Sequence, residues 1–424
     1  MTDPISNTLL PDNSTVDDDG MLVIAGVRVD DLAAEYGTPL FVYDEQHIRS
    51  RCQQAVRAFG QGVAYAAKAF LCTAMARLAH EEGMHIDVAT MGEAYVALQA
   101  GVPGENLVFH GNNKSEEELH YAVENRIGRI VIDSFDEMNR IERILDSTGG
   151  KVQALIRVTP GIQASTHDYV ATGQDDSKFG FTVSTGWAEE AVERASSSNC
   201  INLLGIHAHI GSQVFSLDSF RRATEALAGL SNLFQLSELS VGGGLGVAYI
   251  EEEETLDIEE WGMTIRSVCS EAGVTARVTA EPGRAIVASA AVTLYTVGTI
   301  KELAGIRTYV AVDGGMHDNP RPALYGSGYE TFVPSRVMDP RNSPITLVGK
   351  HCESGDVIVS NGYVPDGLAV GDILATPVTG AYGHSMGSNY NKVLRPAVVF
   401  VNEGSHRLVI RREELSDLVK TDVR

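Results

Sequence analysis

Lys68 closes a run of small and apolar residues, Val63 to Ala67, that has the character of a buried strand. A lysine there costs free energy unless its amine is used. Apolar surroundings are expected to keep that amine neutral and nucleophilic. Further along stand three glycines, Gly242 to Gly244, and the run Glu281-Pro282-Gly283-Arg284. Glycine lets main-chain N–H groups come close to a phosphate, although either loop alone is equally a plain turn. His207 and His209 lie two apart in GIHAHIGSQ, which on a strand puts them on one face. They read as zinc ligands, as a hydrogen-bonded core pair, or as an imidazole stacked on a flat ring with Ser212 available to a phosphate. No acidic or cysteine third ligand stands at a zinc-like spacing, so no metal is expected.

The elements that must position these groups repeat regularly. Between about residues 45 and 285 short β-branched runs alternate with helical patterns. The runs are 63–68, 85–90, 107–110, 129–133, 152–158, 203–210, 239–243 and 276–281. Eight strands joined by helices predict a (β/α)8 barrel rather than a doubly wound open sheet. Chemistry in such a barrel sits at the C-terminal ends of the strands, and Lys68, Asp87, His110, Asp133, Arg157, His209, Gly242 to Gly244 and Glu281 all fall there. The two glycine loops then follow strands seven and eight, the common phosphate-binding place. Beside a phosphate site and a lysine amine, Glu281 could keep a pyridine nitrogen protonated, as pyridoxal phosphate chemistry requires. Standing alone, Glu281 reads first as a solvated loop carboxylate or a salt-bridge partner.

After about residue 290 the chain becomes β-rich with Gly, Pro and Asp turns, predicting a mostly antiparallel β-sandwich or β-barrel domain. The expected domains are therefore 1–44 (a leader plus strands joining the β domain), 45–287 (the barrel) and 288–424 (the β domain). In the last of these Cys352 lies beside Glu353 in a polar turn, where a thiol could transfer a proton. Arg321 and Tyr325 lie among Gly and Pro turns; Arg321 could grip a carboxylate or sit on the surface. Tyr382 stands in a Gly-rich loop, where its phenol could reach a phosphate oxygen.

The chain has 33 basic against 56 acidic residues, a formal charge of -23, which argues against a nucleic-acid or anionic-membrane partner. No window has the roughly 18 apolar residues of a membrane span. The first twenty residues have neither a basic leader nor an apolar signal core, so a cytoplasmic protein with a loose leader is expected. Five scattered cysteines without a CxxC pair do not make a disulfide framework.

In chain order, YAAKAF, HGNNKS, THDYVATGQDDSKFGF, HAHIGSQ, GGGLG, EPGR, VDGGMHDNPRPALY, GKHCESGD and GAYGHSMGSNYN resemble the motifs of the diaminopimelate decarboxylase family. These are pyridoxal 5'-phosphate enzymes of the alanine racemase-like fold type. The resemblance runs from about residue 20 to 415. EPGR is shared by relatives acting on ornithine or arginine, whereas HIGSQ, DNPRPALY and CESGD in combination are more specific. It implies a barrel plus a β domain, and decarboxylation of meso-2,6-diaminopimelate to L-lysine. It also implies that Lys68 carries the cofactor, His209 stacks on its ring and Glu281 holds the pyridine nitrogen. Ser212, Gly243, Gly244, Gly283, Arg284 and Tyr382 would surround the phosphate. Arg284, Arg321, Tyr325, Glu353 and Tyr382 would hold the substrate. Cys352 would supply a proton and, with Glu353, would reach the site across a homodimer interface. Gly383 and Gly387 stand where the family more often has a larger residue and Ala, which is expected to loosen the loop bearing Tyr382.

Overall fold

Parallel strands, six of three or four residues and two of seven and eight, form the centre of the first compact unit, which comprises Arg51–Gly246 and Thr255–Ala285. The structure, a computed structural model, describes residues 3–161 and 176–423; residues 166–175 of the THDYVATGQDDSKFGF stretch lie outside the described residues. The strands are Ala64–Ala66, His85–Val88, Leu107–Phe109, Arg129–Ile132, Val152–Thr159, Ile201–His207, Glu238–Ser240 and Arg277–Thr279, each parallel to the next. The ring closes where Ala64 N donates to Ala280 O at 2.9 Å and Ala66 N to Pro282 O at 3.1 Å. The eight runs read from the sequence are these eight strands. Ala64, Val108, Val131 and Leu155 pack together inside the ring, so the barrel is filled rather than hollow.

Several of the helices between the strands start at side-chain caps. Ser115 and Glu118 form a reciprocal capping box at Glu116–Glu124. Thr90 and Ser134 cap Met91–Gln99 and Phe135–Thr148. One buried ion pair ties the inner wall to this outer layer. Lys114 Nζ donates to Glu137 Oε1 at 2.7 Å, Val131 O at 2.7 Å and Gly111 O at 2.9 Å, so all three of its protons are used.

The second unit comprises Met1–Ser50, Val247–Glu254 and Ile286–Arg424. Its main sheet is mixed. Leu40–Asp44 is wholly buried and pairs antiparallel with Ala291–Leu303 and parallel with Ala397–Asn402. A second parallel pair, Arg307–Val312 with Ser343–Val348, adds to the mixture, while the other pairings are antiparallel, as the sequence patterning predicts. Of the early strands in this unit, Leu40–Asp44 enters the main sheet. Leu22–Ile24 and Val27–Arg28 instead form a small sheet with Ser14–Val16.

The loose leader is a misreading. Ile5, Leu9 and Leu10 are buried. Asn13 N and Nδ2 donate to Asp44 Oδ2, and Asp12 N donates to His47 Nδ1. Polar residues that resemble a solvated tail are here satisfied by buried partners far along the chain. Among the described residues no helix is long and apolar enough to cross a membrane.

Lys114→Met should cost the barrel about 3–5 kcal/mol, because it leaves the Glu137 carboxylate buried without its cation. Urea unfolding followed by circular dichroism would measure this. Arg143→Ala, which opens the exposed Arg143–Glu116 pair, should move the midpoint little.

Candidate active site

The chain end of the first barrel strand turns through a short 3-10 helix, Ala67–Ala69, and Tyr65 Oη locks the turn by donating to Phe70 O at 2.7 Å. Ala66, Ala67 and Ala69 are buried, whereas Lys68 at the apex is exposed. The apolar surroundings expected to keep its amine neutral are therefore absent. Its electrostatic neighbours are Asp87, Glu93 and His209. Gly283 packs directly on this turn: a Cβ there would lie 2.9 Å from Ala66 Cβ and 2.9 Å from Ala66 O. Strands one and eight thus bring Lys68 and the Gly283–Arg284 loop together.

Glu281 is the electrostatic centre of the mouth. Its Oε2 lies 2.8 Å from His207 Nε2 and 3.3 Å from His110 Nε2, and Ser240 Oγ donates to Oε1 at 3.1 Å. Burial alone would raise this carboxyl's pKa, but His207 and His110 hold it well below the ordinary carboxylate value. Asp87 sits behind His110, with Oδ1 3.7 Å from its Nε2, and burial pushes Asp87 up to about 6. Arg157 stands over the Phe179 ring, 4.2 Å from its centroid, with Nε 3.8 Å from Asp133 Oδ1.

His207 and His209 do not act as one pair. The strand ends at His207, so its alternation does not carry through to His209. His209 Nδ1 instead accepts from Gly243 N at 3.2 Å. Burial, followed by the charges of Lys68 and Arg157, lowers its pKa well below that of free imidazole. The neutral ring therefore carries its proton on Nε2. The partners of His207 are His110 and Glu281, and these three could together hold a metal ion. The third ligand missing from the local sequence thus comes from strand eight, though the Glu281 oxygen already serves both imidazoles.

The glycines after strand seven are required by contact. A Cβ on Gly243 would lie 2.3 Å from Glu281 O, and one on Gly244, at φ +110°, 2.0 Å from Gly211 O. Arg284 donates to Ser212 Oγ at 2.8 Å, joining the loops after strands six and eight.

In the second unit Arg321 is buried, not a surface residue. Its guanidinium lies 4.1 Å from the Tyr249 ring centroid, and Nη1 donates to Tyr329 Oη at 2.6 Å. Tyr325 is half-buried, on the same short helix, Arg321–Tyr325. Tyr382 is half-buried in left-handed backbone at φ +60°. Gly383 and Gly387 do not loosen its loop. A Cβ at 383 would meet Thr379 O at 3.0 Å and Phe41 at 3.1 Å, and one at 387 would meet His384 O and His317 O at 3.0 and 3.1 Å. Cys352 and Glu353 are exposed, while the other four cysteines are buried. Sequence reasoning missed the His110 and His207 contacts with Glu281 and the Tyr249–Tyr329 setting of Arg321. Only the positions of Asp87 and His110 at strand ends hinted at the first of these.

Comparison with known proteins decides what this arrangement belongs to. Residues 45–288 match the family model described as pyridoxal-dependent decarboxylase, pyridoxal binding domain. The diaminopimelate decarboxylase of Bacillus subtilis (strain 168) is 46% identical over 420 residues, 95% of each chain. That of Mycobacterium tuberculosis (strain ATCC 25618 / H37Rv) is 44% identical over 435 residues, 98% of this chain and 97% of the other. The chain belongs to the diaminopimelate decarboxylase family of pyridoxal-dependent decarboxylases. The crystal structure of the M. jannaschii member in co-complex with L-lysine superposes with a TM-score of 0.90 at 30% identity, covering 97% and 98% of the two chains.

The family's cofactor is pyridoxal phosphate, and the barrel residues suit it. An exposed lysine amine fits an aldehyde, and a carboxylate held ionised fits a protonated ring nitrogen. Hydroxyl, guanidinium and close-packed glycine main chain fit a phosphate.

His209 and Glu281 both have depressed pKa values in the folded barrel, so the unfolded chain binds more protons. Their stabilisation is full above the unfolded values, about 6.5 and 4.3, and is lost as pH falls below each. His85, lowered to about 4 by burial and by Arg129 and Arg277, acts in the same direction as His209. Asp318 and Asp87, raised by burial to about 7 and about 6, act oppositely over the same window, so the test is a difference. In thermal melts of the cofactor-free protein from pH of about 8 to 5.5, His209→Gln should lose less stability than the wild type.

Proposed function

We propose that this chain decarboxylates meso-2,6-diaminopimelate at its D-configured centre to give L-lysine and CO2. The observation that carries the reading is the 46% identity, over 95% of both chains, to a relative of that name. The geometry of Glu281 and Arg321 supports it.

Lys68 would hold the cofactor through its amine, His209 would lie against the ring, and Glu281 would sit at the pyridine nitrogen. Ser212, Gly243, Gly244, Gly283, Arg284 and Tyr382 would take the phosphate. When bound, pyridoxal phosphate supplies an electron sink for the pair left on Cα as CO2 departs. Glu281, ionised and braced by two imidazoles, keeps a proton on its partner nitrogen. Arg321 has committed Nη1 to Tyr329 and offers the rest of its fork to a substrate carboxylate. Arg284, Tyr325, Glu353 and Tyr382 complete the hold on the substrate's far end. Cys352 Sγ–H would deliver the proton that takes the place of the lost carboxylate on Cα.

The same proposal makes the chain a cytoplasmic homodimer in which Cys352 and Glu353 act on the partner's barrel. The exposure of both side chains supports this.

Incubation with pyridoxal phosphate and meso-diaminopimelate, scoring L-lysine and CO2, tests the reaction, with ornithine, lysine and arginine in parallel. Faster turnover of one of these would assign a different substrate. Lys68→Ala should abolish turnover, and near-full activity would overturn the scheme. Mixing inactive Lys68→Ala with inactive Cys352→Ala chains should restore part of the activity if each site draws on two chains.

A further inference from the structure

The turn between the strands Ser343–Val348 and Val357–Val364 exposes Cys352, Glu353, Ser354 and Gly355, yet its flanks His351 and Asp356 are buried. Asp356 gathers the main chain around it. Oδ2 accepts from His351 N at 2.8 Å and Oδ1 from Met316 N at 2.6 Å, while Asp356 N donates to Glu353 O at 3.1 Å. Gly315 and Gly349 close on this carboxylate so tightly that a Cβ on either would fall within 2.8 Å of it.

The His351 ring is fixed as firmly as its main chain. Its Nδ1 lies 3.0 Å from Asn391 Oδ1, and its Nε2 lies 3.0 Å from His317 Nδ1. Asn391 Oδ1 can only accept, so His351 donates to it from Nδ1, and the tautomer with its proton there accepts at Nε2 from His317 Nδ1–H. Burial, followed by His351, pushes His317 down to about 4, which keeps that ring neutral at working pH. On its other side His351 meets the Tyr390 ring, centroids 5.2 Å apart, and Tyr390 Oη donates to Glu353 Oε2 at 3.4 Å.

We propose that His317 and His351 are positioning residues that set the direction in which this turn presents Cys352 and Glu353. The His317 donor sets the plane of the His351 ring, that plane seats Tyr390, and Tyr390 reaches Glu353. Cys352 follows His351 by one peptide bond. The proposal rests on the reading of Cys352 as proton donor, so Cys352→Ser is measured alongside. Full activity in that variant sinks the reading beneath, not the positioning.

In the full-length holoenzyme, His317→Ala should lower kcat roughly tenfold, with the cofactor absorbance and melting temperature preserved. His317→Asn, whose amide can still donate to His351 Nε2, should recover most of it. The rate at which iodoacetamide alkylates Cys352, followed by peptide mass spectrometry, should shift several-fold in His317→Ala and return in His317→Asn. Tyr390→Phe should raise KM with little change in kcat. If His317→Ala does not fold, Asn391→Gly removes the acceptor on the exposed side of His351 and should give the same alkylation shift. Wild-type kcat and alkylation in these variants overturns the proposal, as does a loss that His317→Asn fails to recover.

Discussion

A carboxylate buried at the mouth of a barrel has to be met by donors, and the arrangement of the first unit follows from how Glu281 is met. His207 comes from the sixth strand, Ser240 from the seventh and His110 from just after the third. Residues so far apart in sequence converge only if the parallel strands close into a ring, which the Ala64–Ala280 and Ala66–Pro282 hydrogen bonds accomplish. The same anion lowers the cost of placing Arg157 nearby: burial lowers the Arg157 pKa, and Asp133, Glu281 and Asp87 oppose that fall. Glu281 is thus the counter-ion that lets a basic group stand at the rim.

Much of this was legible in the sequence. Strand positions could be read because a buried parallel strand is a compact apolar run between amphipathic helices, and both periods are local properties. That polar groups sit at one end of the strands is also a matter of position. Which of them touch is not. His110 and Glu281 are separated by most of the barrel, and only closure of the ring brings them within hydrogen-bonding reach. Lys68 shows a subtler failure: the apolar run is real up to Ala67, but the 3-10 turn rotates the next side chain out into the open. The shared face expected of His207 and His209 fails because strand alternation stops two residues before His209.

In the second unit the misreadings concern tertiary partners. Asp12 and Asn13 look like tail residues until His47 and Asp44 are seen beside them. Val247–Glu254 follows the glycine loop directly, yet it packs with the β unit and supplies the Tyr249 face beneath Arg321. Gly383 and Gly387 suggest slack when only their type is known; their close neighbours show that they relieve crowding.

Leu40–Asp44 carries a consequence for biosynthesis. This strand is buried on every residue, but its two sheet neighbours begin at Ala291 and Ala397. A ribosome therefore releases LFVYD long before anything exists to pair with it, and the whole barrel sequence emerges in between. During that interval a short, apolar, β-prone segment has no edge to join, which is the condition that favours chaperone capture or misassociation between nascent chains. The barrel, encoded almost without interruption, can form while the chain is still growing; the β unit must wait for its distal strands.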